Sequence, residues 1–517
     1  MALSDFEKQR LENIERNKKL LNSLNLNSIS GEIYQNIKKE EENELNNKRK
    51  RTSSPRPKKP KIEATPAVAT RRSRRIAGVA LDDTEKTKKF ELEEDKRRRE
   101  REELEKLKTI RVNGDLSLLD LIKSDDVKEE EDDNKILSKF QSFLNINGNF
   151  SIGDYYETIM QKDNSSKDVK NLREEFSSKE IYPHFKPNDI KLTKERMTYI
   201  TFHPSIDKKI VIGGDTAGNC GIWDSENTEN VDITSFKLHG KSICKYEFNI
   251  NEPNKVYSAS YDGSIRTMDL STMKSSQFFI NDGDIGISDI NFNNHNEIYY
   301  TTLEGEFGRL DLRSGDHSQK TVLRLSDKKI GGFTISPNNP NHIATASLDR
   351  TLKIWDLRNV VHADWSEYDD FESAHNIGTY DSRLSVSTVD WNHSNDLVCN
   401  GYDDTVNIFN LGEDAHKWES KHIIGELNQD HRIKHNCQTG RWVSILKAKW
   451  HKLPKDKTEK VVIANMNKYF DVYDRNGIQL AHLSDPLLTV VPAVANFHQT
   501  ENWIVGGGAS GKVYMFS

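Results

Sequence analysis

The sequence has few apolar residues, and this shortage limits the classes of protein it could encode. Apolar residues make up 34% of the 517-residue chain, against roughly 45–50% in an average globular protein. No run of about 18 apolar residues occurs, so we predict no transmembrane helix and no membrane partner. The opening stretch MALSDFEKQR has no apolar segment, so secretion is not expected. Because charged residues make up 30%, the apolar ones must be concentrated wherever the chain folds.

Cysteine pairs and catalytic motifs are also missing. The four cysteines form no CxxC pair, which argues against a zinc site or a disulfide scaffold and fits a reducing compartment. The sequence contains no GxSxG, HExxH or P-loop motif. We therefore predict that the protein is not an enzyme and has no metal, cofactor or small-molecule substrate.

Residues 1–180 are predicted to be a mostly disordered, charged and partly helical region. The segment 48–75 holds twelve Lys or Arg and one acid, and its prolines exclude a helix. A mobile cationic strand suits a nuclear import receptor, and it also suits nucleic-acid phosphates. A plain solvated tether is the alternative. We predict a nuclear protein whose basic arm includes Lys48, Arg49, Lys50, Arg51, Arg71, Arg72, Arg74 and Arg75.

After residue 195 one pattern occurs seven times. Each copy has an apolar strand, a second strand, a tight turn and a third strand. Three and six residues after the turn, every copy is apolar, so both faces of the third strand should be covered. The turn positions are Ala217, Asp262, Glu304, Asp349, Asp403, Asn467 and Ser510. Spacings mostly near 45 residues, with Trp-Asp at 223–224 and 355–356, are typical of a WD-repeat β-propeller.

The predicted fold is therefore all-β, with a seven-bladed propeller spanning 181–517. The last copy lacks a fourth strand, and the alternating segment 189–193 is predicted to pair with it and close the ring. Some polar residues recur at fixed repeat positions and are predicted to be structural. These are the histidines His203, His393, His451 and His498 and the turn-capping aspartates Asp262, Asp349 and Asp403.

The loops that enter the innermost strands should gather on one face, and most of them carry a cation. A ring of cations on one face would suit a phosphate backbone, while ordinary solvated loops are the alternative. Copies three and seven carry Asp282, Asp284 and Asp485 instead. The candidate DNA-binding residues in these loops are Arg196, Lys241, Lys328, Lys329, Arg383 and Arg441.

The longest spacing between copies contains a predicted insertion at 430–442. It mixes cations with His, Gln and Trp, a composition that could stack on bases or wedge between them. A plain hairpin loop with Trp442 in the core is the competing interpretation. The candidate DNA-binding residues here are Arg432, Lys434, His435, Gln438, Arg441 and Trp442.

The stretches 195–224, 255–270, 344–358 and 435–450 resemble the family of WD repeat-containing protein 76. That family is related to the small subunit of the UV-damaged-DNA-binding factor. The resemblance implies a nuclear protein of the DNA damage response that binds damaged and undamaged DNA, with preference for UV-damaged DNA. It also aligns the insertion with a lesion-probing hairpin whose Phe-Gln-His wedge corresponds to Asn436-Cys437-Gln438. Without the Phe, weaker discrimination of lesions is expected.

Two further partners are implied or left open. The stretches ending in Arg313 and Arg358 resemble the WDxR motif of substrate receptors for cullin-RING ubiquitin ligases. These arginines would dock an adaptor on the face opposite the DNA face, or they would bond within their own blades. A scaffold that binds histones or other chromatin proteins is a further alternative.

Overall fold

The computed structural model describes residues 112, 114–125, 137–138, 166–182, 184–249, 251–314, 322–368, 371–440 and 442–517. The predicted basic arm and Arg441 lie outside these residues. Two helices are α1 (Leu118–Asp125) and α2 (Ser166–Ser177). Within the described ranges, no helix has the length and apolar character needed to span a bilayer.

The repeats form seven sheets. The first three blades contain β2 (Met197–Phe202), β3 (Ile210–Asp215), β4 (Asn219–Asp224) and β5 (Asp232–Lys237); β6 (Ile243–Asn249), β7 (Glu252–Ser260), β8 (Ser264–Asp269) and β9 (Lys274–Ile280); and β10 (Ile287–Asn294), β11 (Glu297–Thr302), β12 (Glu306–Asp311) and β13 (Val322–Arg324). β1 (Leu116–Ser117) adds to β9 at the outer edge of blade 2.

The remaining four blades follow the same order from the channel outward. They contain β14 (Ile330–Ser336), β15 (Asn339–Ser347), β16 (Thr351–His362) and β17 (Glu372–Asp381), with β21 (Gly425–Glu426) added in parallel; β18 (Val386–Trp391), β19 (Asp396–Gly401), β20 (Thr405–Asn410) and β22 (His431–Lys434); β23 (Lys449–Trp450), β24 (Lys460–Asn465), β25 (Tyr469–Asp474) and β26 (Gln479–Leu483); and β27 (Val494–Phe497), β28 (Ile504–Gly507) and β29 (Val513–Phe516). Each innermost strand contacts the next, and β27 contacts β2, so the ring is closed.

Third-strand residues form the packing between blades, as the sequence predicts. The residues three and six positions after each turn are buried in all seven blades, with exposures of 0–7%. Trp223 and Trp355 are among the largest fully buried side chains. Apolar burial on both faces of each sheet is the main source of stability here, because each blade is covered by its two neighbours.

Blade 7 is completed from the N-terminal side, but by a less regular segment than the predicted strand 189–193. Ile181 bridges Phe516 and Lys191 bridges Lys512, both antiparallel, and the residues between them leave the sheet. Pro187 lies in this stretch and has no N–H to donate to a strand. Leu192 is fully buried, and it fits because Gly221 beside it has no side chain: a Cβ there would lie 2.3 Å from the Leu192 carbonyl oxygen.

Two segments within residues 1–180, the region predicted to be mostly disordered and partly helical, pack on the propeller. Leu118 at the start of α1 is fully buried in a cluster with residues of blades 1 and 2. The buried Arg266 binds the backbone that precedes α1. Its Nη2 donates to the carbonyls of Val112 and Gly114 at 2.9 Å each. Phe176 of α2 is fully buried in the cluster formed by blades 5 to 7.

Glu459, just before β24, makes folding depend on pH. It is 5% exposed, and burial together with nearby Asp396 raises its pKa to about 7, while Ser394 donates to it at 3.1 Å. The folded state therefore holds a proton that the unfolded chain releases near pH 4.5. Stability should fall as pH rises from 4.5 to 7, by about 3 kcal/mol from this group. Glu459→Gln, which cannot ionise, should remove that fall, as measured by urea unfolding at pH 4, 6 and 8.

Glu419→Gln is the matched control, because Glu419 is exposed. The difference in free energy of unfolding between Glu419→Gln and the wild type should be the same at every pH. If the difference between Glu459→Gln and the wild type were also the same at every pH, Glu459 would not be the source of the pH dependence.

Candidate nucleic-acid interface

One face of the ring gathers two kinds of loop. The loops that enter the innermost strands hydrogen-bond to the turns between second and third strands. In blades 1 to 5 these bonds run from Thr216 N to Arg196 O, Tyr261 N to Ser242 O, Leu303 N to Gly286 O, Leu348 N to Lys329 O and Tyr402 N to Ser385 O, at 2.9–3.1 Å. We call this surface the rim face and the opposite surface the far face. The loops and turns share an edge of each sheet, so their side chains share the rim face.

The structure places the predicted loop cations on the rim face. Lys241, Lys328 and Arg383 are exposed, and Arg196 is half-buried. Lys329 is half-buried and turned toward blade 2, where its Nζ donates to the Tyr261 hydroxyl at 2.7 Å and lies 4.6 Å from the ring centroid. Burial lowers the pKa of Lys329. The three exposed cations are therefore the best placed to meet a polyanion.

Sequence analysis missed three cations on this face. Arg350 and Lys468 are exposed, each one residue after a turn position. Lys447 is half-buried two residues before β23, near enough to Tyr261 to oppose the rise in pKa that burial produces there. Arg350 and Lys468 could have been found from the repeat alignment, because the turns that carry them lie at the same edge of each sheet as the loops that enter the innermost strands.

Blade 3 interrupts this distribution of positive charge. Asp282, Asp284 and Glu304 are exposed on the rim face of that blade. In blade 7, Asp485 accepts a hydrogen bond from Leu487 N at 2.7 Å and so caps its own loop. The exposed cations Lys241, Lys328 and Arg383 therefore lie in the loops of blades 2, 4 and 5.

The predicted insertion at 430–442 is partly regular structure. Arg432 and Lys434 are exposed side chains of β22, the outer strand of blade 5. The extra residues come earlier, where 411–430 pass along the outer edge of blade 4 and form β21 beside β17. The described residues of the remaining connection, 435–440 and 442–448, are called here the blade 5–6 loop.

The blade 5–6 loop is anchored at its C-terminal end and reaches across the ring. Asn400 accepts a hydrogen bond from Ala448 N at 2.8 Å and donates to Leu446 O at 2.9 Å. Ser444 Oγ donates to Met197 O at the start of blade 1. The loop therefore lies beside Arg196, so these two predicted parts of the site are neighbours.

His435 is not available for contact with DNA, which corrects its prediction. Its side chain is 1% exposed, and its Nε2 lies 3.2 Å from the Asp471 carboxylate of blade 6. Burial opposes ionisation of Asp471, but hydrogen bonds from His435, Asn465 and His482 lower its pKa. The buried carboxylate is therefore charged and fixes the base of the loop.

The exposed apolar side chain of the loop is Trp442, not a residue of the aligned wedge. Cys437 is 2% exposed, and burial raises its pKa to about 12. Gln438 is exposed, and its Nε2 donates to Asp404 at 2.7 Å. Trp442 is 75% exposed and Ile445 is 37% exposed. The alternative of a core Trp442 is therefore wrong.

Arg313 and Arg358 lie on the far face and bind aspartates of their own blades. Arg313 donates to both oxygens of Asp311, at 3.0 and 2.7 Å, and remains 72% exposed. Arg358 donates to both oxygens of Asp356, at 2.8 and 2.9 Å, and also to Trp418 O at 3.0 Å. This geometry favours the intrablade interpretation over adaptor docking.

The recurring histidines and aspartates have structural contacts. His203 lies 3.1 Å from Pro253 O and His498 lies 3.0 Å from Ser205 O, and burial lowers the pKa of both to about 4. Asp262 and Asp349 each accept from a backbone N–H two residues on, at 2.9 Å. No group of His, Cys, Asp or Glu in the described ranges has the geometry of a metal site.

Comparison with known proteins places the chain in a family. A family model described as WD domain, G-beta repeat matches residues 317–356. The β-propeller domain of Myceliophteria thermophila Cps50 (Swd1) is 14% identical, with a TM-score of 0.48 over 66% of this chain and 99% of that chain.

Full-length relatives are much more similar. Proteins named DNA damage-binding protein CMR1 are 43% identical in Meyerozyma guilliermondii and 40% in Candida albicans, over 100% of both chains in each case. The Scheffersomyces stipitis protein of that name is 45% identical over 99% of each chain. The chain therefore belongs to the family of fungal WD-repeat proteins named DNA damage-binding protein CMR1.

Proposed function

We propose that this protein binds DNA, damaged and undamaged, through the rim face, and acts in the nucleus in the response to DNA damage. The relatives' name supports a role with damaged DNA. The observation that carries the proposal is structural: exposed Lys241, Lys328 and Arg383 share one face with a loop that presents Trp442 to solvent. Cations bind phosphates without regard to sequence, and an exposed indole can stack on an unpaired base.

The two parts of the rim face have different roles in this proposal. The cations supply affinity for any duplex and make that affinity depend strongly on salt. Trp442 supplies the preference for lesions, including UV lesions, because a damaged base leaves the stack at lower cost than an intact one. The protein acts by binding and not by catalysis, in keeping with the structural contacts of His203 and His498.

A titration of undamaged and UV-irradiated duplexes of one sequence, at 50 and 200 mM salt, tests this division. The wild type should bind the irradiated duplex more tightly and lose affinity for both steeply with salt. Trp442→Ala should lose about 1–3 kcal/mol of affinity for the irradiated duplex, the range for stacking on one base, and little for the intact one.

Trp365→Ala is the control, since Trp365 is exposed at 42% and belongs to blade 4 outside the rim face. Equal binding of both duplexes by the wild type would contradict the proposed lesion preference. An affinity that does not change with salt would also contradict the proposed phosphate contacts.

A further inference from the structure

Asp404 makes three hydrogen bonds to the first half of the blade 5–6 loop. It lies in the turn between β19 and β20. Its carbonyl accepts from His435 N at 3.0 Å, and its carboxylate accepts from Cys437 N at 3.2 Å and Gln438 Nε2 at 2.7 Å. One half-buried residue of blade 5 therefore fixes the path of the loop over residues 435–438.

The backbone at Asp404 has a conformation that favours glycine. Its φ is +59°, in the left-handed region. The same turn position holds glycine with positive φ in four other blades, at Gly218, Gly263, Gly305 and Gly511. The carbonyl contact needs no side chain, because Gly218, Gly263 and Gly305 accept the same kind of bond. The Asp404 carboxylate accounts for the additional contacts.

The charge of Asp404 also needs a reason. The two blades that have neither glycine nor Asp at this turn position have the exposed cations Arg350 and Lys468. An acid on this face repels phosphates and so opposes DNA binding. Blade 5 is the blade that directly precedes the loop carrying Trp442. The acid therefore stands where its side chain can reach that loop.

We propose that Asp404 is a positioning residue that holds the blade 5–6 loop in a fixed conformation, so that Trp442 is presented to DNA without a cost of ordering. This inference rests on the proposed DNA-binding function. From the other side, Asp471 of blade 6 holds His435, so the start of the loop is fixed between two blades. A loop ordered before binding loses less conformational entropy when the complex forms.

The sign of the effect on DNA affinity separates positioning from simple charge. If Asp404 were only a surface acid, Asp404→Gly would raise affinity. Positioning has the opposite consequence, because glycine removes the carboxylate that accepts from Cys437 N and Gln438 Nε2. The matched control is Asp381→Asn, which removes the same charge from an exposed residue on the same edge of blade 4.

The test combines hydrogen exchange with DNA binding. In Asp404→Gly, amide exchange over residues 435–440 should accelerate by about tenfold or more, and affinity for a UV-irradiated duplex should fall by about tenfold. Its Tm should change little, because relief of the backbone strain at a positive φ offsets the two lost hydrogen bonds. Asp381→Asn should leave exchange unchanged and affinity equal or higher.

The conservative variant Asp404→Asn supplies the rescue. Its Oδ1 can accept from Cys437 N, and its Nδ2 can donate to the Oε1 of Gln438 once that amide turns over, so protection of 435–440 should return. Unchanged exchange in Asp404→Gly, or affinity raised as in Asp381→Asn, would overturn the proposal. If the wild type binds no DNA, the proposed function fails, and the exchange experiment still decides whether Asp404 orders the loop.

Discussion

Changing Lys241, Lys328 and Arg383 together to Glu should lower DNA affinity by about 100-fold or more at 0.15 M salt and leave Tm unchanged. The three side chains are exposed, so their loss removes no packing. Each contributes to the field over the rim face and releases counterions from a phosphate that it neutralises. The slope of log affinity against log salt should become shallower by about three. Fluorescence anisotropy of a labelled duplex at several salt concentrations measures both quantities.

The control is a charge reversal of equal size outside the rim face. Lys274→Glu, Lys417→Glu and Lys421→Glu change exposed lysines: Lys274 begins β9 on the far face of blade 2, and Lys417 and Lys421 lie in the connection along the outer edge of blade 4. The net charge changes by the same amount, so any effect of total charge appears in both variants. Equal loss of affinity in the two variants would show that the rim face has no special part in binding.

Leu192→Asp should destabilise the propeller by about 4 kcal/mol or more. Leu192 is fully buried in the cluster that joins blade 7 to blade 1, and its backbone N–H donates to Gly511 O at 2.8 Å. Truncating a buried leucine costs about 2–5 kcal/mol, and a buried carboxylate without a partner adds to that. Residues 181–192 would then detach from β29. The edge of β29 would become exposed, and an exposed strand edge invites aggregation. Urea unfolding, with light scattering to detect aggregates, measures the effect.

The neighbouring Lys191→Asp provides the comparison. Lys191 is exposed and bridges Lys512 through backbone alone, so its side chain can change with an effect within about 0.5 kcal/mol. A Leu192→Asp protein as stable as Lys191→Asp would show that the ring does not depend on this segment for closure.

The repeat pattern was sufficient to predict the fold. The packing of the segments outside the repeats could not be predicted from their sequence. Every third-strand position inferred from the turn phase is buried, because both faces of a blade are covered by identical geometry in its neighbours. Leu118 and Phe176 belong to short helices that the sequence pattern alone did not indicate. The run LSLLDLI at 116–122 was the available signal, but a single apolar turn is marginal without the surface that receives it.

The sequence indicated where the candidate residues lie along the repeats but not which of them are exposed. Loop position identified Lys241, Lys328 and Arg383, whose exposure follows from their place at the sheet edge. The burial of His435 could not be inferred, because its partner Asp471 lies in the next blade and pairs through tertiary structure. The resemblance pointed to residues 436–438 as the probe, whereas local packing presents Trp442.

The way blade 7 is completed also bears on how the protein folds during synthesis. Residues 181–192 are synthesised before blades 1 to 6, whereas their partners at 512–516 are synthesised after those blades. The early segment must wait without its edge partner while six blades accumulate, and ring closure is a contact of very large sequence separation. Such contacts slow folding, so ring closure between this segment and residues 512–516 should be a late step of folding.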